Sequence, residues 1–268
     1  MNPLSLAPLT VLPASALEQI EAAAAAGFDS VGLRLRPVME TDADIMADAA
    51  MQREIKRRMQ SSGLTLLDIE VFRFGPDTDI KAMIPAMEFG AELGARFMLC
   101  TSGALGEHGK AEDKRVVDKL AELCETSGRF GIKPMLEFMA FRMMATIEDA
   151  ARMAHSVAHA NIGICVDALH LDRSGGTAQS IRGIAPGLLS YAQLCDAPAA
   201  RPPEADLPRE ARYGRLYPGE GGLALAELVS ALPADIPLSL EVPGAYSDLT
   251  PFERARRALA GMRRILGA

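Results

Sequence analysis

The 268-residue chain has four histidines, four cysteines in no C-x-x-C pair, and no long run of either charge. A histidine-rich metal cluster is therefore excluded, and so is a cysteine-based zinc knuckle. Lysine and arginine total 28 against 35 acidic residues, a net charge of −7 with both signs mixed along the chain. That balance argues against a nucleic-acid face, which needs clustered basic side chains. No apolar run is long enough to span a membrane; the alanine-rich stretch at 22–26 is short and flanked by Glu18, Glu21 and Asp29. The opening "MNPLSLAPLT" has no basic segment and no long apolar core, so a signal peptide is not expected. Cys100, Cys124, Cys165 and Cys195 fall in apolar segments and are expected to be buried free thiols, which fits a reducing, cytoplasmic setting. A glycine-rich dinucleotide-binding turn is also missing.

What is present is alternation. Short apolar, β-prone runs at 4–10, 30–36, 65–71, 96–102, 133–139, 161–167, 189–196 and 236–243 read as strands buried on both faces. Helical patterns lie between them, at 15–28, 78–95, 112–132, 146–157, 224–234 and 250–266. Ser15 with Glu18 has the spacing of a capping box, and Gly27 is a natural stop. Thr146 opens another helix with acids in its first turn, and Thr250–Pro251 is a favourable cap-then-first-residue order. Eight strand–helix units in a chain of this length, without a linker or composition break, predict one (β/α)8 TIM barrel over residues 1–268.

In such a barrel the chemistry gathers at the C-terminal ends of the strands. Those ends offer Glu70, Glu137, Asp167 with His170 three residues on, Gln193 with Asp196, and Glu241. Three carboxylates packed together repel unless a cation lies among them, and an oxygen-rich set suits Mg²⁺ or Mn²⁺. The stretch "LLSYAQLCDAP" at 188–198 adds a question of its own. Gln193 sits inside an apolar strand, where an unpaired amide costs roughly 1–3 kcal/mol. A metal ion would give its carbonyl oxygen a partner. Each acid alone could instead cap a helix or pair with an arginine; four polar groups on four strand ends make that reading weaker. His108, His155 and His159 read as structural or surface residues. The proline-rich connection 197–222 reads as a lid or binding loop. Its arginines are mostly offset by nearby acids. Arg215, just before "YPGEG", is the candidate clamp for an anionic or polyhydroxy substrate. Arg34, Arg36 and Arg73 are weaker candidates of the same kind, at least one of them at the surface.

The order of these features resembles the xylose-isomerase-like barrel superfamily. Glu137 comes first, then Asp167-x-x-His170 and Gln193-x-x-Asp196. Arg215-x-x-Pro-Gly-Glu-Gly and Glu241-Val-Pro complete the pattern. Related sugar epimerases have histidine where Gln193 stands, whereas the site is similar to that of hydroxypyruvate isomerases. The resemblance implies that Glu137, Asp167, Gln193 and Glu241 hold one divalent metal, manganese or magnesium, with cobalt or zinc as alternatives. It also implies that Glu137 and Glu241 exchange protons with substrate, and that His170, Arg215 and Glu70 contact it. The implied reaction is proton abstraction α to a carbonyl through an enediolate, by an isomerase or epimerase of a sugar or small hydroxy-keto acid. A dehydratase like the 3-dehydroshikimate enzymes starts the same way and is the alternative. Endonuclease IV shares the barrel, but few histidines and net negative charge disfavour it. A non-catalytic binding barrel would require a vestigial metal set, and no ligand position is lost. Asp196 is expected to support the site by hydrogen bonding rather than to ligate the metal. The expected partner is a small carbonyl substrate, with neither nucleic acid nor membrane, and homo-oligomer formation is left open.

Overall fold

The computed structural model describes residues 2–39, 42–103, 114–244 and 248–267. Eight parallel strands close on themselves in sequence order: β1 (Leu4–Leu6), β2 (Ser30–Arg34), β3 (Thr65–Phe74), β4 (Phe97–Ser102), β5 (Lys133–Glu137), β6 (Gly163–Asp167), β7 (Leu189–Leu194) and β8 (Leu238–Leu240). This is the (β/α)8 barrel that the alternation predicts. Helices α1 (Ala16–Ala26), α2 (Ala49–Ser62), α3 (Ile84–Glu92), α4 (Lys114–Gly128) and α5 (Ile147–Val157) cover its first five units. After β6 come α6 (Ala168–Arg173) and α7 (Ala178–Arg182), after β7 come α8 (Leu207–Tyr213) and α9 (Leu225–Ala231), and α10 (Pro251–Leu266) ends the ring.

Local chemistry sets these boundaries. Ser15 and Glu18 form the expected capping box, and Gly27 closes α1 at φ 89°. Thr146 with Asp149 and Thr250 with Glu253 do the same for α5 and α10. β1 is shorter than predicted because Pro8 opens a 3-10 turn over Pro8–Thr10. β8 is likewise confined between Pro237 and Pro243. The helix at α2 goes beyond the six helical patterns read from the sequence. Its fully buried apolar positions are only Ile55 and Met59, too few to mark an amphipathic stripe. His108 and the first residues of the helix expected from 112 lie outside the described residues.

Two irregularities in β3 shape the interior. The pairing runs Val31↔Leu66 and then Leu33↔Ile69, so β3 carries one extra residue against β2. A second shift against β4 lies between Ile69 and Phe72. An extra residue reverses which way the following side chains point. Leu67 therefore packs with Phe97, Leu99, Met135, Cys165 and Tyr191 in the barrel interior, while Asp68 turns to the same side and accepts a hydrogen bond from Tyr191 Oη at 3.1 Å. A side chain at Gly32 would collide with the Asp68 carboxylate, so only glycine lets Asp68 fit there. Around the opposite arc Ser239, Ser5 and Ser30 stand in one register row on β8, β1 and β2. All three hydroxyls are buried without a protein partner.

Candidate active site

At the C-terminal ends of the strands lies a cavity of about 530 Å³. Glu70, Glu137, His170, Arg215 and Glu241 line it, and each is 3% exposed or less. Glu137 is the last residue of β5. Asp167 ends β6 and caps α6, accepting the backbone N–H of His170 at 2.9 Å. That cap turns the chain at once, so His170 rides on a short helix rather than in a loop, and its ring faces back over the barrel. Glu241 follows β8 directly, its backbone N–H bonded to Leu194 O at 3.0 Å. Arg215 reaches in from the connection after β7. Its Nε donates to Ala211 O at 3.0 Å, its Nη1 to Asp167 at 2.5 Å, and its Nη2 lies 3.2 Å from Glu241.

The charge balance is acidic. Asp68, Glu70, Glu137, Asp167 and Glu241 are all buried, and Arg34, one of the few nearby cations, is taken by Asp42 at 3.1 Å. Burial pushes the Glu70 and Glu137 carboxyls well up, and neighbouring carboxylates add to it. Burial likewise raises Glu241 against the pull of Arg215. Asp167 goes the other way: although burial opposes ionisation, Arg215 and the surrounding hydrogen bonds hold it below the usual carboxylate range. His170 is pushed down to about 4, mainly by burial, so its ring is neutral at ordinary pH. Arg215 Nη2 lies 3.4 Å from His170 Nε2 and can only donate. Nε2 is then the accepting nitrogen, and it lies 3.9 Å from Glu137 Oε1.

One oxygen each from Glu137 and Asp167 and a nitrogen of His170 lie within 4.8 Å of one another, close enough for one cation to reach all three. The site is short of positive charge and holds orphaned buried atoms, Glu70 Oε1 and Gln193 Nε2. These residues fit a divalent cation. Gln193 is fully buried beside the cluster, opposite Asp167 in the β6–β7 register. Its Oε1 accepts from Cys165 Sγ at 3.6 Å. Flipping the amide exchanges the two atoms within the same envelope and would present a bare carbonyl oxygen where the unpaired N–H now stands. Glu241 stands outside the three-residue cluster, held by Arg215.

Asp196 is a loop clamp. It accepts backbone N–H groups from Ala197, Gly219 and Leu223 at 2.9–3.0 Å, which folds the "PGEGG" turn around it. Arg34 lines the cavity, Arg73 reaches its mouth, and Arg36 is exposed. Three groups were not singled out in the sequence: Asp68, Asp42 and Arg142. Asp68 carried the same signal as Gln193, a polar residue inside an apolar run. Arg142 lies over the Phe141 ring at 5.9 Å, and that ring meets His170 edge-on at 5.7 Å.

Solved structures share the fold. The IolI protein with a bound zinc atom is 20% identical, with a TM-score of 0.86 over 99% of this chain and 98% of that one. A probable 3-DHS dehydratase from Bacillus anthracis, AsbF, involved in petrobactin synthesis, is 18% identical, with a TM-score of 0.76 over 100% and 99%. A D-allulose 3-epimerase from Methylomonas sp. in complex with D-allulose is 16% identical, with a TM-score of 0.73 over 98% and 96%. No curated protein matches the sequence. The family model for the xylose isomerase-like TIM barrel matches residues 20–265, nearly the whole chain, and the protein belongs to that family.

Proposed function

We propose that the protein is a divalent-metal-dependent isomerase or epimerase that moves a proton α to a carbonyl in a sugar or small hydroxy-keto acid. The observation that carries this reading is the pair Glu137 and Glu241. They reach one cavity from β5 and from the end of β8, and both carboxyls are pushed up toward the range where an acid and a base interconvert. In this reading Glu137, Asp167, Gln193 and Glu241 hold the metal, manganese or magnesium, with His170 close enough to Glu137 and Asp167 to compete for a place. When bound, the metal polarises the carbonyl and makes the neighbouring C–H more acidic.

The side chains do the rest. One glutamate takes the proton from carbon and the other returns a proton, to the adjacent carbon in an isomerisation or to the opposite face of the same carbon in an epimerisation. Asp167 stays ionised and fixes Arg215, whose guanidinium balances the charge that develops on oxygen. Neutral His170 forms part of the substrate wall without adding charge. Glu70 orients the hydroxyl at the far wall. Four buried, unpaired cysteines support a reducing, cytoplasmic setting, and no helix among the described residues is long and apolar enough to cross a membrane.

The test is solvent deuterium uptake by ketoses, sugar phosphates, hydroxypyruvate and dehydroshikimate, with Mn²⁺ or Mg²⁺ and with chelator. Metal-dependent deuterium at the α-carbon without loss of water is the expected result. Loss of water would make the enzyme a dehydratase. No uptake on any substrate, together with no metal in the purified protein, would overturn the reading.

A further inference from the structure

The cavity is charged unevenly along its depth. Its floor is acidic, and the two arginines there are already engaged, Arg34 by Asp42 and Arg215 by Asp167 and Glu241. At the mouth the charged side chains among the described residues are arginines: Arg73, Arg142 and Arg212. They come from three separate segments. Arg73 lies three residues beyond Glu70 on β3 and is exposed where Glu70 is buried. Its backbone pairs with Thr101, which also lines the cavity. Arg142 follows β5 and lies over Phe141, against which the His170 ring packs. Arg212 is next to Ala211, whose carbonyl holds Arg215 in place. Arg73 and Arg212 are exposed and form no ion pair among the described residues, in a chain with seven more acids than bases.

We infer that this rim is an anion subsite: Arg73, Arg142 and Arg212 take a carboxylate or phosphate at the end of the substrate remote from Glu137 and Glu241. Guanidinium groups suit that task because their planar N–H fork matches either anion. The anion clamp that the sequence places at Arg215 thus moves outward, since Arg215 is committed to Asp167. The inference rests on the proposed reaction for the orientation of the substrate, but the subsite itself can be tested without turnover.

The binding of inorganic phosphate and of succinate to the full chain is measured calorimetrically at constant ionic strength. The comparison is among wild type, an Arg73→Gln/Arg212→Gln double variant and Arg182→Gln, a control on α7. Saturable binding that the double variant weakens about tenfold or more, and the control leaves unchanged, is expected. The tighter of the two ions tells whether the natural group is phosphate or carboxylate. Equal binding by all three proteins overturns the subsite. Deuterium uptake into neutral ketoses but not their phosphates or keto acids also overturns it, while leaving the proposed reaction intact. Anion binding that depends on the rim, without deuterium uptake by any carbonyl compound, upholds the subsite and refutes the reaction.

Discussion

Glu241 sits where two demands meet. In the proposed reaction it must stay near Arg215 to be ionisable and face the cavity to meet a substrate carbon. Glu241→Gln keeps the shape and the backbone bond to Leu194 but removes the proton acceptor. Deuterium exchange into substrate is expected to fall about a thousandfold, with the circular-dichroism spectrum and the melting temperature at or above wild type. Asp68 makes a different prediction. Its carboxyl is pushed up to about 7 from an ordinary 3.8, chiefly by burial. The folded state therefore holds this proton more tightly than the unfolded chain does, and stability falls as pH rises from about 4 to about 7. Asp68→Asn removes that titration. In metal-free protein the variant is expected to match wild type near pH 4 and to melt higher at pH 8. Melting curves across that range check it. Glu137, Asp167 and Glu241 were legible in the sequence because each closes a short apolar run. Asp68 carried the same polar-in-apolar signal as Gln193, but it stands two residues before the cavity-lining Glu70, inside the barrel against Tyr191, rather than at a strand end where site residues are sought.

At the scale of elements, the segment after β7 matters most. Helix α8 is seven residues long and has little apolar area of its own. A buried arginine ties it down: Arg173 on α6 makes a paired contact with Glu210 at 2.8 and 2.9 Å and donates to Pro198 O at 2.7 Å. One side chain thus joins α6, α8 and the exit from β7, and α8 in turn supplies the carbonyl that holds Arg215. Arg173→Met leaves Glu210 without its partner and is expected to cost about 3 kcal/mol in urea unfolding. It should also lower kcat more than it raises the KM of any substrate, since Arg215, which balances the charge developing on oxygen in the proposed reaction, loses its anchor. The sequence marked this stretch as a long functional loop but hid α8, and it hid α6 and α7 in the same way. Helices of five to seven residues show less than two turns of periodicity. Their positions follow from capping residues such as Asp167 and from tertiary bonds such as Arg173–Glu210.

The whole molecule carries more buried acid at one end than its cations balance, and under the proposed function this is expected to couple folding to metal. A cation that binds only the folded chain adds roughly 2.7 kcal/mol when present at a hundred times its dissociation constant. Mn²⁺ is therefore expected to raise the melting temperature, chelator to reverse the rise, and Asp167→Asn to abolish the response. A metal-independent melting temperature in wild type would count against the site. The barrel itself was readable from the count of strands, because eight buried runs in a chain of this length leave few ways to close a sheet.

The row of Ser239, Ser5 and Ser30 has a practical consequence. These hydroxyls are bonded to no protein group, in a barrel whose other arc is filled by Phe97, Leu99, Met135 and Tyr191, and Ser239 stands level with Gln193 in the β7–β8 register. Removing a buried hydroxyl that lacks a protein partner is neutral or favourable. The triple change Ser5→Ala, Ser30→Ala and Ser239→Ala is thus expected to raise the melting temperature with exchange activity retained. This serine row is then a reservoir of unused stability, which an engineer or a mutating lineage can draw on to tolerate new, destabilising residues elsewhere in the barrel.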